Sequence, residues 1–143
     1  MSKFQDQLVG YARECLGTPF KHQGRIVGLA LDCVGVAAHV MTRAGLDYTD
    51  AKGYTRTPCK GLLEATLNNQ PHIYRVDKAQ PLQTGDFILF RIRRDPQHVA
   101  VYTGHSIIHG YFSSARVVEQ TINAGWQRRI TAVYRVSKKA VTA

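Results

Sequence analysis

The sequence predicts an α+β domain in which N-terminal helices pack on an antiparallel sheet of five to six strands. Two observations carry that expectation. Apolar residues recur at helical spacing through the first half of the chain, and after Asn69 the pattern changes to short runs rich in β-branched and aromatic residues, separated by turn residues. A third is bulk: 143 residues, 44% hydrophobic and 20% charged, are enough for one domain (1–143) with its own core, and no internal repeat or linker divides them.

The elements follow in order. Phe4, Leu8, Tyr11, Ala12, Cys15 and Leu16 share one helical face, so residues 3–16 read as an amphipathic helix ended by Gly17. Residues 17–31, with Gly17, Pro19, Gly24 and Gly28, read as a loop. Asp32 then caps a second helix that runs to about Arg43 on Cys33, Val36, Ala37, Val40, Met41 and Ala44, with Gly45 as the stop. Residues 46–58 look irregular, and a third helix is expected from Cys59 to Asn68 on Leu62, Leu63, Ala65 and Leu67. Strands are expected at 73–76, 86–92, 99–103, 107–112, 116–121 and 130–136, joined as a meander.

Composition narrows the function classes. Three cysteines (Cys15, Cys33, Cys59), odd in number and without a Cys-x-x-Cys pair, argue against a disulfide framework and against a structural zinc site. The net charge of +9 draws the chain toward polyanions such as nucleic acid, anionic lipid or acidic wall polymers. The basic residues sit in small knots (Arg91-Arg93-Arg94, Arg128-Arg129, Lys138-Lys139) with no aromatic stripe to stack bases, so no specific nucleic-acid partner is expected. No apolar run approaches the ~20 residues that cross a bilayer, so no membrane insertion is expected. Met-Ser-Lys-Phe-Gln-Asp-Gln lacks the pattern of a signal peptide, which implies cytoplasmic synthesis.

One segment carries chemistry. Asp32-Cys33-Val34-Gly35 puts a thiol in the first turn of a helix, where the dipole is expected to lower its pKa and favour thiolate. His98 and His109 follow on a hairpin. If Thr103-Gly104-His105-Ser106 is the turn, His98 opposes Tyr111 and His109 lies diagonally from His98 on the same face. A catalytic triad then reads as Cys33 the nucleophile, His98 the base, and His109 the partner that fixes the tautomer of His98, with the Cys33 N–H facing the oxyanion. Each residue also has a plainer reading: Cys33 as a small core hydrophobe, His98 as a strand-end histidine, and the three together as zinc ligands that lack an evident fourth.

At this point the chain resembles a family, the NlpC-type cell-wall cysteine peptidases, and within it a short phage-tail branch. Gly17-Thr18-Pro19-Phe20 resembles the loop after the family's first helix, and Asp32-Cys33-Val34-Gly35 its Asp-Cys-Ser-Gly nucleophile motif. Gly85-Asp86-Phe87-Ile88-Leu89-Phe90 is similar to the strand that opens its sheet, and His98-Val99-Ala100-Val101-Tyr102 to the strand bearing the base. Ile108-His109-Gly110 resembles the strand with the third polar residue, and Arg116-Val117-Val118-Glu119 the phage-type strand that follows. The resemblance covers about residues 3–136. It implies a papain-like fold, no cofactor or metal, and hydrolysis of amide bonds in peptidoglycan stem peptides, of the type joining the γ-carboxyl of D-glutamate to diaminopimelate. It further implies action at the cell wall after delivery by a virion or release on lysis, with other phage tail proteins as partners.

Two departures stand out. The family often has a Tyr in that loop whose hydroxyl helps the oxyanion, and here the position is Phe20, so the donor is missing or comes from His22 or Gln23. Val34 stands where Ser is common, and is expected on the helix surface without effect. Arg25 reads either as a partner for a stem-peptide carboxylate or as a solvated arginine. Asp86, after a glycine, reads first as a turn cap. Three other functions remain open: a silent tail-assembly protein that keeps the fold, an amidase effector injected by a secretion system, and a basic nucleic-acid-binding domain.

Overall fold

The structure, a computed structural model, describes residues 2–54, 61–92 and 95–141. Helix α1 is Lys3–Arg13, started by a capping box in which Ser2 and Gln5 satisfy each other's backbone N–H. Two short strands, β1 (Arg25–Ile26) and β2 (Ala30–Leu31), form a hairpin ahead of α2 (Cys33–Arg43), and α3 is Leu62–Asn68. The main sheet contains β3 (Ile73–Val76), β4 (Phe87–Ile92), β5 (Asp95–Tyr102), β6 (Ser106–Tyr111), β7 (Arg116–Thr121) and β8 (Ile130–Val136). A five-residue helix, α4 (Ala124–Arg128), lies between β7 and β8.

All pairings in the main sheet are antiparallel, in the order β3-β8-β4-β5-β6-β7. The α+β expectation therefore stands, and the meander is corrected. β4 to β7 do run in sequence, but β8 returns to lie between β3 and β4. Asp86 shows why β8 fits there. Its buried carboxylate accepts the Gln83 N–H at 2.8 Å, capping the turn, and takes two bonds of 2.9 Å from Arg135 on β8.

The helix α1 is shorter than expected, because residues 14–17 close in turns, and the 17–31 loop contains the β1–β2 hairpin. α3 begins after Gly61. Cys59, expected to start it, and Arg93 and Arg94 of one basic knot fall outside the described residues.

Alternation along the strands builds two cores. Phe87, Leu89, Val99, Val101, Ile108 and Tyr134 face α1 and α2, where they meet Leu8, Ala12, Val36, Val40 and Met41. Ile88, Phe90, Ala100 and Ile107 face the other way, beneath Trp126 of α4. Val34 belongs to the first core at 2% exposure, so the expectation that it lies on the helix surface is wrong.

Candidate functional site

α2 begins at Cys33 because Asp32 stops the preceding strand: its Oδ1 accepts the Gly35 N–H at 2.8 Å, satisfying a first-turn donor. Asp32 holds more than the cap. Arg25 Nη1 donates to Oδ1 at 2.9 Å, the Gln23 N–H donates to Oδ2 at 2.8 Å, and the Tyr54 hydroxyl also donates to Oδ2. Arg25 extends the network to Asp50 through Nε at 2.7 Å and Nη2 at 3.2 Å, and it donates to the Tyr54 hydroxyl at 2.7 Å and the Gly24 carbonyl at 2.7 Å. All five of its N–H groups have protein acceptors. Arg25 is thus neither a solvated arginine nor a free guanidinium waiting for a substrate carboxylate.

The loop residues follow the same pattern. His22 Nε2 and Gln23 Nε2 each donate at 2.8 Å to the Tyr54 carbonyl, which ties them to the 48–54 segment. Phe20 rests edge-on against Phe112, with ring centroids 5.9 Å apart.

The route from the thiol to the histidines is set by strand pairing. The turn is the expected one, closed by Thr103 N–H to the Ser106 carbonyl at 2.9 Å, and it pairs Tyr102 with Ile107 and Val101 with Ile108. Beyond those pairs β5 and β6 part. Tyr102 exchanges its backbone bonds with Gly85 and Asp86 on the β4 side, so by alternation the Val99 N–H points to the β6 side. What it meets there is the Cys33 sulfur, toward which the Val34 N–H also donates. Gly110 on β6 closes the other side of the opening: a Cβ there would lie 2.8 Å and 2.9 Å from the Asp32 carbonyl carbon and oxygen and 3.1 Å from the Cys33 nitrogen. Only a glycine lets the strand come so near to the start of α2.

His98 and His109 project from the opposite face of the same strands, into the second core. His98 Nε2 lies 2.5 Å from His109 Nδ1, and His109 Nε2 lies 2.8 Å from Gln120 Oε1 on β7. Aromatic rings enclose the pair. Tyr111 stacks on His109 at 13° and 5.0 Å, while Trp126 lies 5.6 Å from His98 and 5.3 Å from His109. Phe90 completes the surround at 6.2 Å from His98.

Electrostatics overturn one expectation. The thiol is not lowered by the helix dipole: burial pushes it up to about 12, the Asp32 charge adds to this, and the Val99 and Val34 N–H groups only partly offset them. Burial also holds His98 well below the usual imidazole value, and His109 reinforces this. His109 is lowered by burial too, against its bond to Gln120. Burial thus favours the neutral form of the thiol and of both imidazoles. Burial likewise pushes Cys15 up to about 12, and the Glu14 charge adds to this.

The sequence did not single out Gln120, Tyr111, Trp126, Tyr54 or Asp50. Tyr48 was also missed; its phenol is pushed up by burial, Asp50 and the neighbouring Cys33. Among the described residues no group of three or more His, Cys, Asp or Glu is arranged to hold a metal.

The structure thus sets a thiol at a helix start in the opening of an antiparallel sheet, with two linked imidazoles on the strands that form the opening. The chain belongs to the NlpC/P60 family, whose model matches residues 17–135. Solved structures share the fold. An NlpC/P60 family protein from Bacillus cereus is 24% identical with a TM-score of 0.69, covering 92% of this chain and 40% of its own. The NlpC/p60 domain of the peptidoglycan hydrolase SagA is 21% identical with a TM-score of 0.61, covering 93% and 97%. The peptidoglycan hydrolase RipB from Mycobacterium tuberculosis is 16% identical with a TM-score of 0.64, covering 95% and 66%. Several of these proteins are longer: the chain spans 40% of the Bacillus cereus protein and 43% of a Staphylococcus aureus relative. No curated protein matches it in sequence. No helix among the described residues is long and apolar enough to cross a membrane.

Proposed function

We propose that this chain is a cysteine endopeptidase of peptidoglycan, cleaving stem peptides at the amide between the γ-carboxyl of D-glutamate and diaminopimelate. The observation that carries the reading is the opening between β5 and β6, where Cys33 lies beside Val99 while His98 and His109 are joined on the same two strands. Family membership and the names of two structural relatives as peptidoglycan hydrolases support the substrate class. The net charge of +9 favours approach to an anionic wall.

Cys33 Sγ attacks the carbonyl carbon as His98 takes its proton, and the oxyanion turns toward the Cys33 N–H at the open end of α2. The amine leaves with the proton held by His98, and water then releases the acyl group from sulfur by the reverse transfer. Because both groups are neutral at rest, proton transfer accompanies attack and no thiolate waits in the free protein. Phe20 lacks a hydroxyl and His22 and Gln23 are bound to the Tyr54 carbonyl, which leaves the Tyr48 phenol, a neighbour of Cys33, as the side-chain donor for the oxyanion among the described residues, and one such donor is worth ~10²–10³ in rate.

The motif resemblance around Arg116-Val117-Val118-Glu119 supports delivery as a phage or prophage tail component. The test is incubation with purified murein and separation of the released muropeptides. Wild-type protein is expected to cut stem peptides and Cys33→Ala to leave them whole. If both are inert while folded, the tail-assembly reading replaces this one.

A further inference from the structure

The ring packing around His98 and His109 fixes where the imidazoles lie, but not where their protons are. Tyr111 stacked on one ring and Trp126 against both hold the planes. The two neutral tautomers of imidazole have the same shape, so apolar contact cannot tell them apart; a polar neighbour must.

Gln120 is the polar neighbour that the structure supplies. On β7, Val118 pairs with His109 and Gln120 with Ile107, so Gln120 is diagonal to His109 on the same face, at a spacing a long side chain can bridge. Its Oε1 lies 2.8 Å from His109 Nε2. A carbonyl oxygen only accepts, so Nε2 of His109 carries the proton and Nδ1 is bare. A bare Nδ1 at 2.5 Å can only accept from His98 Nε2–H. His98 is then left with Nδ1 bare, the nitrogen free to act as a base.

We propose that Gln120 is a positioning residue that sets the direction of the proton relay, orienting His109 and through it presenting His98 as a base at Nδ1. This deepens the hydrolase reading and rests on it for its catalytic consequence. With the amide reversed, each proton moves to the other nitrogen and His98 Nδ1 is blocked. The wrong tautomer in an otherwise intact triad is a severe defect, up to ~10⁴-fold in rate.

The test joins ¹⁵N NMR of labelled histidines with muropeptide kinetics on the full chain. At neutral pH the wild type is expected to show pyrrole-type Nε2 and bare Nδ1 for both rings. Gln120→Leu is expected to mix the tautomers and lower kcat at least about tenfold with KM little changed. Gln120→Glu, which keeps an acceptor, is expected to retain the wild-type tautomers and rescue kcat, with the acid limb of the pH profile moved upward because a carboxylate favours imidazolium. A protonated Nδ1 on His98 in the wild type overturns the proposal. So does a Gln120→Leu protein with wild-type tautomers, and should that variant fail to fold, wild-type and Gln120→Glu spectra decide alone. If the wild type is inert on murein, the hydrolase reading fails while the spectra still judge the relay.

Discussion

The two faces of the sheet are built by the same strands and obey different chemistry. The helix-facing side is an aliphatic core of Leu8, Val36, Val40, Met41, Leu89, Val99 and Ile108, and Cys33 belongs to it because α2 starts above it. The other side is a small aromatic core of Phe90, Tyr111 and Trp126 that encloses two imidazoles. Charge is concentrated instead behind the thiol, where Arg25 joins Asp32 and Asp50. Cys33 and the two histidines therefore come from opposite faces. The β5–β6 pairing stops at Val101 and Ile108, which leaves the Val99 N–H open to the Cys33 sulfur at the start of α2. A fully zipped sheet would carry every one of these residues and leave no opening for the start of α2.

The largest expected effect is on the base. His98→Gln is expected to lower kcat/KM by ~10²–10⁴-fold in the murein assay while alkylation shows an intact Cys33. An unchanged rate would detach the far face from the chemistry. Next comes the lid of that face: Trp126→Ala removes a side chain only 5% exposed and is expected to cost about 3–5 kcal/mol in urea unfolding. By admitting water it is also expected to raise the acid limb of the rate profile toward the ordinary imidazole range.

Closing the opening is a more direct intervention. Gly110→Val sets a side chain against the Asp32 carbonyl and the Cys33 nitrogen, and is expected to cost about 1–3 kcal/mol and ~10²-fold in rate through misplacement of the thiol. Full activity in that variant would show that the close approach of β6 to α2 is dispensable. The smallest effect is expected from Val34→Ser, the residue common in the family. Placing a hydroxyl in the aliphatic core is expected to cost about 1–2 kcal/mol without changing kcat.

The pH dependence separates a neutral pair from an ion pair. His98 and His109 are depressed in the folded protein, so as pH falls through about 6.5 the unfolded chain takes up protons that the fold refuses. The stability they contribute is full above that value and is lost as pH falls toward their native values, and His98→Gln is expected to flatten this acid-side loss of Tm. The thiol has the opposite sign: raised in the fold from about 9 to about 12, its contribution is full below about 9 and is lost as pH rises beyond it. Iodoacetamide is therefore expected to modify Cys33 with a rate that climbs steadily above neutral pH. A plateau reached below pH ~7 would reveal a preformed thiolate and reverse the electrostatic account.

Much of this was legible in local pattern. Asp32 as cap, the turn at Thr103 to Ser106 and the shared face of His98 and His109 follow from cap chemistry and strand alternation, which depend on near neighbours. The missing parts depend on distant ones. α4 is five residues long, too short for a helical period to register, yet it supplies Trp126. Gln120 could be placed beside His109 only with the β6–β7 register, and that is set by the irregular turn at Phe112–Ser114.

The sequence by itself determined the α+β class, the order of Cys33, His98 and His109 and the family's motif pattern, because each is written in spacing along the chain. Only the tertiary structure decided the protonation states, the engagement of Arg25 and the meeting of Cys33 with β5. The dipole at the start of α2 is a local feature and visible in the sequence. The burial that outweighs it comes from strands far along the chain, and desolvation is a property of the assembled fold.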